Sequence, residues 1–238
     1  MFDIFRRGGP TPKQIGRTVK RLTETHGEAA PRIEAAEKLA AWGTPEALFG
    51  LTKRFTISSR VISEDIEEKR HVVELLAGKG EDSIEPILRY MKVYHQIDWP
   101  VGALARIVGE EELVRYLKEI IETVALSEFA APEHRVSLIR AVHEHVRPEI
   151  AETLEAFLGD TDDDVRIAAI EALTELGEPE REKIIEAFIA AEDRPRIRRR
   201  VAEIFADQGW DVKGYRPTIE ESLPEGFTLN AKGVVRRR

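Results

Sequence analysis

Residues 163–177 read DDVRIAAIEALTELG, and this stretch decides the fold. Two aspartates stand where a helix would begin, and apolar residues then recur at the spacing of one helix face. Glycine, the residue that most readily ends a helix, closes the stretch. The pattern predicts a helix of about four turns whose apolar face must pack against neighbouring helices.

Amphipathic segments of this kind recur in pairs along the chain. Their inner turns, from Gly43 to Gly209, follow one another about every 33 residues, which is a length typical of helical repeats. Since one helix pair cannot bury its apolar face alone, successive pairs are expected to stack. First helices are predicted over 31–42, 65–77, 99–108, 133–146, 162–176 and 195–208, and second helices over 45–56, 82–95, 110–125, 148–159 and 178–191. Thr44, Asp98 and Asp193 are predicted to cap helices.

The opening Asp163-Asp164-Val165-Arg166 resembles the first helix of HEAT-like repeats, of the bacterial-type kind also called phycobilisome-lyase-type repeats. The likeness covers residues 30–208 and is weak in the first repeat. It implies an all-α fold, a HEAT-like α-α superhelix (solenoid) of five to six helix pairs. In such repeats the Asp typically caps a helix and the Arg pairs with the turn of a neighbouring repeat, which implies structural roles for Asp164 and Arg166.

Three segments are predicted: an N-terminal segment with a capping helix over 12–26 (residues 1–30), the repeats (31–209) and a C-terminal tail (210–238). Residues 57–64 are expected to form a longer loop between repeats. In the tail, Phe227–Arg236 alternates in polarity around an Asn-x-x-Gly turn, which predicts a small β-hairpin docked on the last repeat. A disordered tail is the alternative.

Composition limits the classes of function. Of the 238 residues 42% are apolar, enough for a continuous core, and none is cysteine, which excludes disulfides and a thiolate nucleophile. No apolar run reaches the roughly 18–20 residues of a membrane span, so no membrane partner is predicted and a cytoplasmic location is expected. The net charge of −8 is uneven, because residues 1–21 and 194–238 each carry about +5 and surround an acidic middle.

No catalytic, cofactor-binding or metal-binding residue is predicted. Asp160–Asp164 with Glu171 mimics a calcium loop, but Val165 stands where the sharp turn needs glycine, so helix capping is favoured. His143 and His145 lie two residues apart and would point to different faces of a helix. No serine sits in a strand-turn-helix elbow. The chain is therefore expected not to be an enzyme, and a relative of the lyases or glycosylases that share this scaffold has the weakest support.

Nucleic-acid binding is the second hypothesis. Arginines at positions 194, 196, 198, 199 and 200, and again at 236–238, supply positive charge that could meet phosphates. Five arginines within seven residues surround a helix instead of forming one stripe. Pairing with acidic neighbours such as Asp160–Asp164 is therefore favoured, and the overall negative charge disfavours nucleic acid.

The leading hypothesis is a protein-interaction adaptor. Glutamates outnumber basic residues on the third, fourth and fifth second helices, which usually line the concave face of this architecture. An acidic concave face would receive a basic or amphipathic segment of a partner, and aromatic and Arg side chains would anchor it. Self-occlusion, in which the basic tail of the chain fills the same groove, remains a competing version. The predicted partner-binding residues are Arg89, Tyr90, Glu112, Arg115, Tyr116, Glu119, Glu152 and Glu155.

Overall fold

A computed structural model describes residues 9–26, 28–127, 129–143, 145 and 147–238. Over these residues the chain forms thirteen α-helices and one two-stranded sheet. The helices are α1 (Pro12–Leu22), α2 (Ala29–Trp42), α3 (Pro45–Thr52), α4 (Ile62–Ala77), α5 (Ile84–Met91), α6 (Asp98–Ile107), α7 (Glu110–Ile120), α8 (Pro132–His143), α9 (Pro148–Glu155), α10 (Asp163–Thr174), α11 (Arg181–Ala190), α12 (Pro195–Gln208) and α13 (Arg216–Ser222), and the strands are β1 (Phe227–Leu229) and β2 (Val235–Arg237). The all-α fold class of stacked repeats with a small C-terminal hairpin is confirmed.

The chain divides into two compact units, unit 1 (Met1–Tyr116) and unit 2 (Leu117–Arg238). In unit 1 the first helices α2, α4 and α6 pack in sequence, and α3 and α5 form a second layer, with α1 covering α2 and α3. In unit 2 the first helices α8, α10 and α12 pack in sequence, and α9 and α11 lie against α10. Each unit buries the apolar stripes that the spacing of Ala, Leu and Ile predicts.

Several helix ends differ from the prediction. The N-terminal helix stops at Leu22 and not at residue 26, and α4 begins at Ile62, which shortens the loop after the first repeat. The second helices α3, α5 and α11 are shorter than predicted, and 3₁₀ turns occupy part of the difference at Lys53–Thr56, Gly80–Ser83 and Glu178–Glu180. Residues Ile121–Ala125 continue α7 as a π-helical turn. Helix α13 was not predicted.

The predicted helix caps are partly correct. Thr44 caps α3 by accepting a hydrogen bond from the Ala47 amide at 3.2 Å. Asp98 lies inside α6, and Arg194 precedes α12 without a side-chain cap, so the caps predicted at Asp98 and Asp193 are wrong. In each of these two cases the helix starts one residue away from the position that would place the carboxylate on a free amide.

Asp162 and Asp164, at the start of α10, have two different structural roles. Asp162 caps α10, with its carboxylate accepting from the amides of Asp164 and Val165 at 2.9 and 3.2 Å. Asp164 binds Arg196 of the next first helix at 2.6 Å. The capping role expected of Asp164 therefore belongs to Asp162. Arg166 is buried on α10, and its Nε has no hydrogen-bond partner among the described residues, so the pairing implied for it is not observed. Arg194 and Arg196, which belong to the next repeat, pair with Asp163 and Asp164.

The C-terminal tail is folded. Phe227 pairs with Arg237 and Leu229 with Val235, which confirms the hairpin, and β2 packs against α12. The Asn230 side chain accepts from the amides of Lys232 and Val234 inside the turn. Gly233 has a φ of +78°, a backbone conformation that residues other than glycine rarely adopt.

A buried ion cluster joins α2, α4 and the turn after α3 in unit 1. Glu68 accepts from Arg32 Nη2 at 2.6 Å and from Arg54 Nε at 3.0 Å, and all three side chains are at most 5% exposed. Arg54 also binds Asp65 at 2.7 Å, and Lys69 binds Asp65 at 2.7 Å. Burial alone would raise the pKa of Asp65, but the hydrogen bonds from Lys69, Arg54 and the Ser59 amide lower it to about 2. The cluster fixes the loop after α3 onto α4.

The contact between α1 and α3 depends on a glycine. A methyl group on Gly50 would lie 2.7 Å from Val19 Cγ2 of α1, and valine has little rotameric freedom in a helix. We therefore expect Gly50→Ala to destabilise the protein by about 1–3 kcal/mol, although alanine favours helices. Urea denaturation measures this change.

Gly102 of α6 is the matched control. It is exposed, and a methyl group there would meet no atom within 4 Å. Gly102→Ala should therefore stabilise the protein by up to about 1 kcal/mol. If both substitutions are stabilising, the close approach of α1 to α3 is not a constraint.

Candidate interaction surfaces

Tyr90 is a core residue. Its side chain is fully buried on α5, with its ring stacked on Tyr94 at 4.8 Å and edge-on to Phe55 at 6.0 Å. Its hydroxyl has no hydrogen-bond partner in the described part of the chain, and burial raises its pKa. Tyr90 offers no surface to a partner, because it completes the apolar stripe of Ile87 and Met91. That spacing is the signal that indicates its burial.

Arg89, the residue before Tyr90, is exposed and belongs to a group of cations and rings. Its guanidinium carbon lies 4.0 Å from the centre of the Phe49 ring. Lys53 Nζ lies 4.0 Å from the same ring and 3.9 Å from the ring of Tyr94, and it donates to the Tyr94 hydroxyl at 2.6 Å. We call Phe49, Lys53, Arg89 and Tyr94 the cation–aromatic cluster. Sequence reasoning identified only Arg89.

Three further predicted residues lie together in the part of α7 that belongs to unit 1. Glu112 and Arg115 form an ion pair at 2.6 Å with both side chains about half exposed, and the Arg115 guanidinium lies 4.3 Å from the ring of Tyr116. The hydrogen bond from Arg115 lowers the pKa of Glu112. This group is exposed, but its charges already neutralise each other.

Exposed carboxylates occupy the second helices of unit 2. Glu119, Glu149, Glu152 and Glu186 are exposed, and none lies within 4 Å of a cationic side chain among the residues the structure describes. We call these four residues the acidic row. Glu155, predicted to belong with them, is half-buried and forms an ion pair with Lys183.

Contacts between helices place the acidic row on neighbouring segments. Lys118 Nζ donates to the Glu149 carbonyl at 3.0 Å, and Thr153 donates to Glu122 at 3.2 Å, which joins the end of α7 to α9. The ion pair between Glu155 and Lys183 joins α9 to α11. Residues three or four positions apart share a helix face, so Glu119, Glu152 and Glu186 lie on the same side as these contacts.

Four of the five arginines at residues 194–200 are paired with carboxylates of unit 2. Arg194 binds Asp163 at 2.8 Å, Arg200 binds Glu171 at 2.7 Å, and Arg199 lies 3.6 Å from Glu203. Together with the pair between Arg196 and Asp164, these contacts give the run the acidic neighbours that the sequence favoured. Little uncompensated positive charge is left for phosphates.

The folded tail does not fill the acidic row. Arg237 binds Asp207 of α12 at 2.9 Å, and no Lys or Arg of the tail lies within 4 Å of an acidic-row carboxylate in the described ranges. Two tail contacts reach α11: the Tyr215 hydroxyl donates to Glu182 at 2.8 Å, and Asp211 lies 3.6 Å from Arg181. The self-occlusion version is therefore not the arrangement of this structure.

Among the described residues, no group of three or more His, Asp or Glu side chains is arranged to hold a metal ion. Within the same residues, no helix has the length and apolarity to cross a membrane. His143, the last residue of α8, lies 3.2 Å from Glu175, which follows α10. Glu144 lies outside the described residues.

The comparison with protein-family models agrees with this architecture over part of unit 2. Residues 123–206 match the family model described as HEAT repeats, which confirms the predicted HEAT-like repeats in that part of the chain. The phycobilisome-lyase-type and bacterial-type details stay predictions. A solved structure described as "Crescerin uses a TOG domain array to regulate microtubules in the primary cilium" is 16% identical over 96% of both chains, with a TM-score of 0.43. A search of curated proteins found no match. HEAT repeats suggest a protein-interaction scaffold.

Proposed function

We propose that the chain is a non-catalytic, cytoplasmic scaffold whose acidic row binds a basic or amphipathic segment of a protein partner. The observation that carries this proposal is the exposure of Glu119, Glu149, Glu152 and Glu186 without cationic partners in the described residues. Most arginines of unit 2 have a carboxylate beside them, whereas the four carboxylates of the acidic row have no cationic side chain within 4 Å in the described residues. Uncompensated charges of one sign on one surface favour a ligand of opposite sign.

The repeat architecture supports the same proposal. Neighbouring second helices present side chains at regular intervals, and an extended or helical segment can lie across several of them. Glu119 on α7, Glu152 on α9 and Glu186 on α11 would each meet a different part of such a segment. Glu112, Arg115 and Glu155 are less suited to this role, because each already has a partner of opposite charge.

The test reverses charge in the acidic row. We expect Glu119→Lys with Glu149→Lys and Glu152→Lys to weaken binding of a fluorescein-labelled peptide of alternating Lys and Leu by about tenfold or more at low salt. Fluorescence anisotropy measures the affinity, and circular dichroism checks that the helices remain. Because exposed charges are screened, the difference should shrink as salt is raised.

A second triple variant controls for net charge. Glu133, Glu192 and Glu221 are exposed residues of unit 2 outside the second helices, and none has a cationic partner within 4 Å in the described chain. Changing these three to Lys alters the total charge equally and should leave most of the affinity. Equal weakening by both variants would show that only net charge matters and would refute the assignment of the acidic row.

A further inference from the structure

The cation–aromatic cluster of unit 1 holds two positive charges that no neighbouring carboxylate neutralises. The cationic groups of Arg89 and Lys53 each lie 4.0 Å from the centre of the Phe49 ring. Neither group lies within 4 Å of an Asp or Glu oxygen in the described residues. An aromatic face attracts a cation through its quadrupole but leaves the net charge in place. In a chain of net charge −8, the cluster is therefore a local positive site.

The hydrogen-bond donors of the cluster are mostly unused. Contact with the Phe49 ring occupies a face of the Arg89 guanidinium, and no N–H of Arg89 makes a side-chain hydrogen bond within the described part of the chain. Lys53 gives one N–H to Tyr94 at 2.6 Å and keeps two. A guanidinium presents its N–H groups as a planar fork that matches a carboxylate with two parallel hydrogen bonds.

The rings also hold both cations in place before any ligand arrives. Long side chains normally lose rotamer freedom when they bind, and a side chain already packed on a ring loses less. Val93, beside Tyr94, is 61% exposed and gives the site an apolar border. Prepositioned Arg and aromatic side chains next to apolar surface are the composition of interface hot spots.

We propose that the cation–aromatic cluster binds an acidic segment of a protein partner, with a Glu or Asp carboxylate held by Arg89 and Lys53 and an apolar side chain against Val93. A protein segment fits better than nucleic acid, because bases need open ring faces for stacking and cations in a continuous groove. Here Arg89 and Lys53 already cover the ring of Phe49, and the exposed neighbour is aliphatic. This site does not depend on the function proposed for the acidic row.

The test measures binding of a fluorescein-labelled peptide of alternating Glu and Leu by anisotropy at low salt. Arg89→Gln should weaken binding by about tenfold or more, since it removes a charged donor of two hydrogen bonds. Lys53→Met keeps the packing on Phe49 and Tyr94 but removes the charge, and it should weaken binding in the same direction. Circular dichroism and urea denaturation establish that both variants are folded.

Arg106 provides the matched control, because it is an exposed arginine of α6 in the same unit with no ion pair or ring contact in the described structure. Arg106→Gln should leave the affinity unchanged. Weakening as large as that of Arg89→Gln, or no effect of Arg89→Gln, would overturn the proposal. Tighter binding of a labelled single-stranded oligonucleotide than of the peptide, lost in Arg89→Gln, would also overturn it in favour of nucleic acid.

The two proposals can fail separately. The acidic-row triple variant should bind the Glu-Leu peptide as the wild type does, and Arg89→Gln should bind the Lys-Leu peptide as the wild type does. If the protein binds the Glu-Leu peptide but not the Lys-Leu peptide, the cation–aromatic cluster stands as a site and the acidic row does not. If it binds only the Lys-Leu peptide, the acidic row stands and the cluster does not.

Discussion

Glu68→Gln is expected to destabilise unit 1 by about 3–5 kcal/mol, because it removes one charge from a buried ion cluster and leaves its partners. Glu68 is 5% exposed and accepts from Arg32 and Arg54, which are 2% and 0% exposed. A neutral amide fills the same volume, so the loss of charge and not a cavity causes the effect. Urea denaturation measures the loss, and hydrogen exchange of α2 and α4 assigns it to unit 1.

Glu67, the preceding residue of α4, is the control for this prediction. It is exposed and has no ion pair among the described residues, so Glu67→Gln should change the stability by less than about 0.5 kcal/mol. Equal effects of the two substitutions would mean that Glu68 does not compensate buried charge.

Acid unfolding of the wild type and the Glu68 variant should differ in a defined way. Burial would raise the pKa of Glu68, but hydrogen bonds from Arg32 and Arg54 more than reverse this and lower it. A carboxyl whose pKa is lower in the folded state stabilises the fold above its unfolded pKa and loses this contribution as the pH falls through the folded value. Glu68→Gln should therefore show a smaller loss of stability below about pH 4 than the wild type.

Phe205→Ala should destabilise unit 2 by about 3–5 kcal/mol, the usual cost of truncating a buried phenylalanine. Phe205 is fully buried on α12, and its ring lies 6.2 Å from that of Phe188 on α11. Helix α12 also packs against α10 and β2, so a cavity at Phe205 weakens the contacts of several elements at once. Urea denaturation followed by circular dichroism measures the change.

Phe129→Ala makes the same chemical change at a side chain that is 95% exposed. Its stability should stay within about 0.5 kcal/mol of the wild type. A comparable loss in both variants would contradict the assignment of Phe205 to the core, because burial is the only difference that the prediction uses.

The helix pairs could be predicted from sequence because their apolar periodicity is local. Val165, Ala169 and Leu173 lie on one face of α10 whatever packs against it, and the structure buries all three. Helix α13 escaped prediction because seven residues with one buried apolar side chain, Ile219, show no period. The ends of the second helices depend on 3₁₀ turns, which have no distinct sequence pattern.

The interaction surfaces were less predictable, because they depend on which side chains meet across repeats. The excess of glutamate on the second helices is visible in the sequence, but the pairing of Glu155 with Lys183 requires the packing of α9 near α11. Lys53 and Tyr94 are 41 residues apart, so their contact could not be inferred from spacing. Tyr90, by contrast, was predictable as core from the stripe that it shares with Ile87 and Met91.

In each of these contacts between repeats, the two paired residues are close together in the sequence. Arg194 and Asp163 are 31 residues apart, Arg200 and Glu171 are 29 apart, and Arg32 and Glu68 are 36 apart. Each contact closes a loop of about one repeat, and the entropy cost of loop closure grows with loop length. Contacts of low sequence separation favour rapid folding. A repeat leaving the ribosome can therefore dock as soon as the next has emerged, so folding can keep pace with synthesis.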